Sequence, residues 1–387
     1  MAIGRRVDLA QKSALTPRQI RLGIIGTGLA AKRLHWPALE KMPDRFSIVA
    51  YANRSRPPAE EYASLVGLQA KDYYSDYHDL LLRDDVEAVV VGLPINAQYA
   101  VVHDALAAGK HVICEKPAGG DERMARQFLA LASQYPGLKT LIAENYYYRD
   151  DLRLARSILD AGVIGEPKTI FMRWVSRMVP EPGEWMSTAW RQTPEHRGGI
   201  ILDAGVHHIA EIRLFGGDFA RVLARTAEIN PTVAGTTSMT MAFDLVNGIT
   251  GSYVGDCVGI PLAESGERCL ICGTEGSLSV GDASVILRKP DGSCDRYTLS
   301  GMDAGYYNEF RNFYDAIVFD APVVSDIAQN VSNVVAVMKA LDAADAGGWV
   351  EVPADSRSGL IPLWQPYGVN GLFESLPVHL NTVATSS

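Results

Sequence analysis

The chain has 387 residues, of which 47% are hydrophobic and 21% charged, and this length and composition predict two ordinary globular domains. Its formal net charge of −9 argues against a nucleic-acid partner, because proteins that bind nucleic acids concentrate lysine and arginine. The odd number of cysteines, five, favours a reducing compartment, and the lack of a secretory signal or a long apolar span predicts a cytoplasmic protein without a membrane partner.

The first predicted domain covers residues 20–148. It follows a tail or arm at residues 1–19, for which a weak organelle-targeting stretch is the alternative. Continuous apolar strands alternate with helical segments, which indicates an α/β domain with a parallel sheet covered on both faces, the Rossmann arrangement. The predicted strands are IRLGIIG (20–26), FSIVAYA (46–52), VEAVVVGLP (86–94), KHVICEKP (110–117) and TLIAENYYY (140–148).

The second predicted domain, residues 149–353, is α+β with a large, mainly antiparallel, open-faced sheet. Eight segments between 168 and 299 have strand character, and Asn247-Gly248 and Asp291-Gly292 are hairpin turn signals. Helices are predicted near 150–162, 203–215, 306–320 and 324–348. A sheet face without helices is commonly buried by a second subunit, so a homodimer or homotetramer through this sheet is expected. Residues 354–387 are predicted to form a C-terminal extension without clear periodicity.

The spacing C-x-x-C at Cys269 and Cys272 raises the question of a metal site. Residues three apart in a strand point to opposite faces, so this segment cannot present both thiols to one metal ion. No second cysteine pair completes a zinc site. We therefore interpret both cysteines as core residues and predict no metal.

A phosphate-binding turn is predicted where the first strand meets the first helix. The sequence LGIIGTGLAAKRL carries G-x-G-x-x-A, with Gly26 and Gly28 in the turn and Ala31 at the third small position. The first glycine allows the tight turn, the second admits a pyrophosphate, and the helix N-terminus attracts the phosphates. Dinucleotide contacts are therefore expected at Gly26, Thr27, Gly28, Leu29 and Ala30.

The residues that follow the second strand predict which dinucleotide binds. NAD sites usually carry an acid there for the ribose hydroxyl, whereas this chain has Asn53, Arg54 and Ser55. An arginine without a neighbouring carboxylate accommodates a 2′-phosphate, so NADP is favoured over NAD. The alternative is that Arg54 is a solvated loop residue and Asn53 binds the hydroxyl.

Three segments together resemble one family of nicotinamide-dependent oxidoreductases. The segments IIGTGLAA, AAGKHVICEKP and GGIILDAGVHH are similar to motifs of the Gfo/Idh/MocA family over about residues 20–352. The resemblance implies a Rossmann domain, an open-faced second domain and a sugar or cyclitol substrate. Carried over by motif, the family's catalytic residues fall on Lys116, Asp203 and His207. Further cofactor contacts are expected at Leu93, Pro94, Asn96, Glu115 and Lys116.

Two departures from the family pattern concern substrate contacts. An acid commonly follows the family's histidine three residues on, where this chain has Ala210 and then Glu211. The P-N-x-x-H that often follows the fourth strand is here Pro94-Ile95-Asn96-Ala97-Gln98. Both changes bear on how the substrate is held and leave the predicted reaction class unchanged.

The chemistry of an alcohol oxidation fits these residues. A base must take the hydroxyl proton as hydride leaves, and histidine titrates near the working pH. On a helix that begins near Asp203, His207 shares its face, whereas His208 is turned away and is interpreted mainly as a packed neighbour. Adjacent histidines diverge too far to bind one metal ion. Lys116 would hydrogen-bond the reacting oxygen and stabilise alkoxide charge.

Additional substrate contacts are expected near the domain junction. Aromatic and amide groups suit a polyhydroxylated ring. Besides the catalytic residues, the candidates are Asn145, Tyr148, Arg149, Trp190, Arg191 and His208.

The sequence therefore predicts an oxidoreductase that transfers hydride between NAD(P) and a hydroxyl or carbonyl carbon of a sugar, cyclitol or sugar derivative. One alternative is a sugar- or dinucleotide-sensing regulator that keeps the fold for binding alone. Another is an enzyme with a tightly bound, recycling cofactor that cycles two substrates or performs an elimination.

Overall fold

Two sheets organise the chain. The computed structural model describes residues 18–259, 267–302 and 304–366, together with the backbone of 378–383. The predicted N-terminal arm lies almost wholly outside the described residues. In the part of the chain that is described, no helix is long and apolar enough to cross a membrane. The α/β class with an open-faced second sheet is confirmed.

The first sheet has six parallel strands in the order β3-β2-β1-β4-β5-β6, which is the Rossmann order. Its strands are β1 Ile20–Ile25, β2 Phe46–Ala52, β3 Tyr73–Tyr74, β4 Ala88–Val91, β5 His111–Glu115 and β6 Thr140–Ala143. All four residues of β4 are buried, as continuous apolar strands predict. The strand order reverses at β1, which has β2 on one side and β4 on the other, so a ligand site is expected at the carboxyl ends of β1 and β4.

Helices of the first domain are α1 Trp36–Leu39, α2 Arg56–Val66, α3 Tyr77–Leu81, α4 Ile95–Ala107 and α5 Glu122–Gln134. A π-helical turn, Ala31–His35, precedes α1. Pro37 lies one residue after this turn, and its ring would clash with the carbonyl of Arg33 in a regular α-helix. The wider turn relieves that clash and points His35 into the protein, where it is 2% exposed.

The second sheet has ten strands in the order β15-β8-β9-β10-β7-β11-β12-β13-β14-β16. Only the β7 and β10 pair is parallel. All eight predicted strand segments are present, and both predicted hairpin turns connect antiparallel neighbours. The strands are β7 Pro167–Val175, β8 Phe219–Ala227, β9 Ser238–Leu245, β10 Thr250–Asp256, β11 Glu267–Gly273, β12 Ser277–Gly281, β13 Ser284–Arg288, β14 Cys294–Leu299, β15 Val350–Glu351 and β16 Val378–Val383.

Strand β16 was not predicted, because it lies in the extension that shows no clear periodicity. It pairs with β14 along its whole length and becomes the edge of the sheet. Cross-strand pairing with an existing edge can hold a segment whose own sequence carries a weak strand signal. The extension is therefore tied to the second domain at this edge.

Helices of the second domain are α6 Asp150–Asp160, α7 Ala189–Gln192, α8 Gly199–Asp203, α9 Val206–Gly216, α10 Tyr306–Phe319 and α11 Ile327–Ala346. The predicted helix at 203–215 is wrong at its start, since Asp203 ends α8 and α9 begins at Val206. Gly205 lies at this break. A Cβ there would lie 2.4 Å from the Ile201 carbonyl oxygen and 3.1 Å from the Tyr253 hydroxyl, so the close turn requires glycine.

One face of the second sheet packs against α9 and α11, and no helix of the described residues covers the other face. The register places Leu223, Ala242, Ser252, Phe171 and Leu270 in one row across five strands. Phe171 is 45% exposed. The homodimer or homotetramer expected through this face stays a prediction, which sedimentation equilibrium would test.

Candidate active site

The glycine turn has the backbone geometry that a dinucleotide site requires. Gly26 has φ of +92°, and a Cβ there would lie 2.3 Å from the Gly92 carbonyl oxygen. A Cβ on Gly28 would meet no atom within 4 Å, so this position borders open space. Gly26 is thus required by the backbone conformation of the turn, and Gly28 leaves room for phosphate groups to approach the backbone.

A cavity of about 550 Å³ opens beside this turn. Six of the predicted cofactor residues line it: Gly26, Asn53, Arg54, Ser55, Leu93 and Pro94. Ser75, Asp76 and Tyr77 also line it and were not predicted. Asn53 accepts a hydrogen bond from the Thr27 backbone N–H at 3.2 Å, which fixes the amide beside the turn.

The residues of this cavity fit a dinucleotide. The Thr27 hydroxyl is buried and has no hydrogen-bond partner among the described residues, so a polar group is available at the phosphate turn. Arg54 has no carboxylate partner in the described chain, whereas Arg56 is bonded to Glu60 at 2.8 Å. The Asp76 carboxylate is engaged by the backbone N–H and ring nitrogen of His78. The geometry therefore leaves the Arg54 guanidinium without an ionic partner among the described residues of this cavity.

A second cavity, of about 210 Å³, lies where the two domains meet. Lys116, at the end of β5, and His207, in the first turn of α9, both line it. So do the predicted contacts Ala30, Glu115 and Asn145 and the unpredicted residues Leu34, Ala143, Trp185 and Tyr306. The first helical segment after the glycine turn reaches this cavity through Ala30 and Leu34.

Lys116 is held by Asp203. Its Nζ donates to the Asp203 carbonyl oxygen at 2.6 Å and to Oδ1 at 3.0 Å, while Arg191 donates to Oδ2 at 2.6 Å. Burial raises the pKa of Asp203, but the charges and hydrogen bonds of the two cations outweigh it and hold that pKa well below its usual range. Asp203 is thus a fixed anion that orients the ammonium group.

His207 is held by a different carboxylate, that of Glu144. Its Nδ1 lies 2.6 Å from Glu144 Oε1, and its ring stacks on Tyr146 with centroids 4.8 Å apart and planes 13° apart. The four-residue spacing allowed Asp203 to orient the imidazole, to contact a substrate hydroxyl, or both. The first of these roles is corrected, because Glu144 bonds the ring. The break at Ala204 and Gly205 removes the continuous helix on which the four-residue spacing was argued.

Comparison with known proteins identifies the family. Residues 20–138 match the oxidoreductase family with an NAD-binding Rossmann fold, and residues 152–279 match the C-terminal domain of the same family. The chain belongs to the Gfo/Idh/MocA family. The resemblance found in the sequence is thereby confirmed, and the family is one of oxidoreductases.

Two similar proteins and one structural neighbour illustrate the likeness. An oxidoreductase of Thermotoga maritima, known from its crystal structure, is 30% identical with a TM-score of 0.79, and the match covers 87% of this chain and 99% of that one. A dTDP-3,4-didehydro-2,6-dideoxy-alpha-D-glucose 3-reductase of Streptomyces antibioticus is 30% identical over 60% of this chain and 68% of its own. A levoglucosan dehydrogenase in complex with NADH and levoglucosan is 21% identical, with a TM-score of 0.77 over 87% and 100% of the chains, and shows the shared fold.

The chain spans about half to three fifths of the length of several fungal relatives that it also matches.

The position of the family's second acid is not filled by Glu211. Ala210 is buried, and Glu211 is fully buried and bonded to Arg268 at 2.9 and 3.1 Å. Burial raises the pKa of Glu211, although the Arg268 charge opposes this. Glu211 does not line the cavity that holds Lys116 and His207. This part of α9 therefore contributes no carboxylate to the described lining of the cavity.

Two predicted substrate contacts, Tyr148 and Arg149, do not line the cavity that holds Lys116 and His207. Tyr148 is fully buried, and its hydroxyl donates to Asn312 and accepts from the Ser325 backbone N–H. Arg149 is bonded to Asp151 at 2.7 Å and does not line the catalytic cavity. The predicted strand 140–148 ends at Ala143, and the chain continues as a 3₁₀ turn, Asn145–Tyr148. The alternating faces of a strand therefore do not indicate which way these side chains point.

A third, small cavity next to the site contains two further predicted residues. Trp190 and Asn96 line it, and Asn96 donates to Glu195 at 3.4 Å. Asn96 is absent from the linings of the two cavities described above, so the expected cofactor contact is not seen there. Arg191 is covered by Trp190, with its Cζ 4.0 Å from the ring centroid, which fixes the guanidinium that binds Asp203.

Sequence reasoning missed several residues of the site. His35 bonds Glu115 at 2.8 Å; burial raises the pKa of Glu115, but this bond and neighbouring charges hold it below its usual value. Glu144 is 63 positions from His207, which it bonds. Trp185 lines the catalytic cavity and belongs to no recognised motif. A polar residue directly after β6 was the one available signal for Glu144, because side chains at that sheet edge face the ligand cleft.

His208 lies in the core. It is 2% exposed, its ring packs on Trp174 and Tyr253, and the Tyr253 hydroxyl lies 3.4 Å from Nδ1. Burial lowers its pKa well below the usual value, so the folded protein keeps this imidazole neutral. It does not line the catalytic cavity.

This burial makes a prediction about stability and pH. Below the ordinary pKa of 6.5, the unfolded chain protonates His208 and the folded chain does not, so the free energy of unfolding should fall as pH drops below 6.5. The slope from one such group is at most about 1.4 kcal/mol per pH unit. In urea unfolding from pH 7.5 downwards, the free energy of unfolding should fall less steeply with pH for His208→Gln than for wild type. His103→Gln, at a half-exposed histidine, serves as control and should retain the wild-type slope. Equal slopes for wild type and His208→Gln would contradict the buried, neutral assignment.

Proposed function

We propose that this protein is an NADP-preferring oxidoreductase that interconverts a hydroxyl and a carbonyl group on a sugar, cyclitol or sugar derivative. One observation carries the proposal. Lys116 and His207 line a single cavity beside the dinucleotide cleft, and each is held by its own carboxylate. A proton acceptor and a cationic hydrogen-bond donor directed at one oxygen are what alcohol oxidation requires.

In this proposal His207 and Lys116 both act on the reacting oxygen, each in a different way. When bound, the nicotinamide supplies hydride transfer. His207 takes the hydroxyl proton in oxidation and returns it in reduction. Lys116 donates a hydrogen bond to the oxygen as negative charge develops on it, and Asp203 holds the ammonium group in place. Gly28, Thr27 and Asn53 would hold the phosphates and the adenosine ribose.

The lining of the cavity supports a polyhydroxylated substrate. Trp185 and Tyr306 offer ring faces and Asn145 an amide, and such groups suit a sugar ring. A Gfo/Idh/MocA relative is named as a reductase of a dTDP-bound sugar, and a structural neighbour was solved with levoglucosan. A panel of neutral sugars, cyclitols and nucleotide sugars, with NADP and with NAD, tests the proposal by the absorbance of the reduced nicotinamide. No turnover with any member would count against it.

The NADP preference rests on Arg54. Removing a charge-assisted hydrogen bond costs about 1.5–3 kcal/mol, so Arg54→Ala should raise the KM for NADP about 10- to 100-fold and change the KM for NAD little. Arg56→Ala is the matched control, since that guanidinium is already bonded to Glu60. Steady-state kinetics with both cofactors make the measurement. If the wild-type enzyme favours NAD, and the ratio of its KM values for NADP and NAD is unchanged in Arg54→Ala, the proposed NADP preference is wrong.

A sensing regulator is the second candidate function. It would bind a sugar and a dinucleotide without turnover, so ligand-induced thermal stabilisation in the absence of product would favour it. The separate ion pairs of Lys116 and His207 favour the enzyme, because binding alone does not require a proton acceptor. An enzyme with a recycling cofactor would instead release bound nicotinamide on denaturation.

A further inference from the structure

We propose that Glu144 is a positioning residue that fixes the orientation and tautomer of His207, an inference that rests on the proposed proton transfer by His207. Glu144 is fully buried directly after β6, and His207 is only partly buried at the cavity. Their side chains meet at 2.6 Å between Oε1 and Nδ1. The two residues come from different domains of the chain and are 63 positions apart.

The contact determines which ring nitrogen carries hydrogen. An ionised carboxylate can only accept hydrogen bonds, so Nδ1 of His207 must be the donor. The neutral ring then has its lone pair on Nε2. In the oxidation direction the substrate O–H bond breaks, its proton moves to Nε2, and the carbon loses hydride to the nicotinamide as the C=O bond forms. The Nδ1 hydrogen stays on the ring throughout.

The remaining contacts of Glu144 strengthen this role. Oε1 also accepts from the Tyr146 backbone N–H at 3.2 Å, while Oε2 is buried and has no hydrogen-bond partner among the described residues. A buried carboxylate with so few donors is poorly compensated. A second proton on His207 supplies the missing positive charge. Glu144 therefore stabilises the imidazolium that forms when the substrate proton arrives.

The plane of His207 is fixed as well. Tyr146 stacks on the imidazole, and the Cζ atoms of Arg149 and Arg268 lie 4.9 and 5.8 Å from the Tyr146 ring centroid. Tyr146 is thus held between the histidine and two arginines. The charged or titratable groups that surround the pair are Glu115, Lys116, Arg149, His208, Arg268 and Tyr306.

A purely structural role for Glu144 makes different predictions. Its side chain also caps the 3₁₀ turn at Asn145–Tyr148 through the Tyr146 N–H. Glu144→Gln keeps an oxygen acceptor for that N–H, so the cap can persist while the negative charge is lost. An effect of this variant on the chemical step then reports on His207 and not on the turn.

The experiment compares Glu144→Gln with wild type. We expect kcat to fall about 10- to 100-fold, the scale seen when the outer partner of a functional histidine is removed, with KM and cofactor affinity little changed. Nitrogen-15 NMR of histidine-labelled protein without cofactor should show one His207 tautomer, with hydrogen on Nδ1, in wild type and a mixture in the variant.

Glu211→Gln is the matched control, since it removes another fully buried carboxylate that binds Arg268 instead of a histidine. It should lower stability and leave kcat and the His207 tautomer unchanged. An unchanged kcat and a single, unchanged tautomer in Glu144→Gln would overturn the inference even if the wild type is an active enzyme. If no substrate is turned over at all, the proposed function fails, and the NMR comparison still decides the role of Glu144.

Discussion

Replacing Lys116 by methionine should lower kcat/KM about 10²- to 10³-fold, the loss that follows removal of one oxyanion donor. The ammonium lies in the catalytic cavity, 3.0 Å from Asp203 Oδ1, and no other cation in the described residues lines that cavity. Methionine keeps the length and apolar stem of the side chain and removes the charge. Asp203 keeps Arg191 as its partner, so the carboxylate is not left unpaired.

The control for Lys116 is Lys110→Met. Lys110 is also buried, and its Nζ donates to the carbonyl oxygens of Arg83 and Val86 away from both cavities. This variant should lose stability and retain kcat. Cofactor affinity, measured by fluorescence titration, should remain near wild type in both variants. Turnover by Lys116→Met within a few-fold of wild type would show that the lysine does not act on the reacting oxygen.

His207→Gln is expected to lower kcat about 10²- to 10⁴-fold at neutral pH, the usual contribution of general acid-base catalysis. Glutamine can still hydrogen-bond Glu144 but cannot take the substrate proton. The loss should appear in kcat more than in KM, since proton transfer belongs to the transition state. Steady-state kinetics in both reaction directions provide the measurement.

The neighbouring residue supplies the control for His207. His208→Gln changes an adjacent histidine that lies in the core, packed on Trp174 and Tyr253. It should change stability and its dependence on pH, with kcat within a few-fold of wild type. Equal losses in the two variants would mean that the kinetic effect comes from disturbed packing of α9.

Local motifs account for the part of the site that could be predicted from the sequence. Gly26 and Gly28 lie between a strand and a helix, and backbone geometry alone constrains them, so the phosphate turn follows from a short segment. Lys116 directly follows β5, and the end of a parallel strand faces the ligand cleft. In the second domain, alternation such as Met239, Met241 and Phe243 fixes which face is buried.

The partners of the catalytic residues could not be predicted in the same way. The spacing of Asp203 and His207 indicates one helix face only if the helix is continuous, and Gly205 breaks it. The true partner of His207 follows a strand of the other domain, and no local pattern joins the two. Tyr148 was misplaced for a related reason, because the chain after Ala143 turns where a strand was predicted.

The most direct test of the account is the single-turnover rate of hydride transfer, with cofactor and substrate both saturating, in wild type, Lys116→Met and His207→Gln. Saturation removes binding from the comparison, so the rate reports the chemical step alone. We expect both variants to bind cofactor and substrate and to be slower by at least about 10²-fold. Hydride transfer at the wild-type rate in His207→Gln would contradict the role of His207 as proton acceptor. The same result in Lys116→Met would contradict the hydrogen bond from Lys116 to the reacting oxygen.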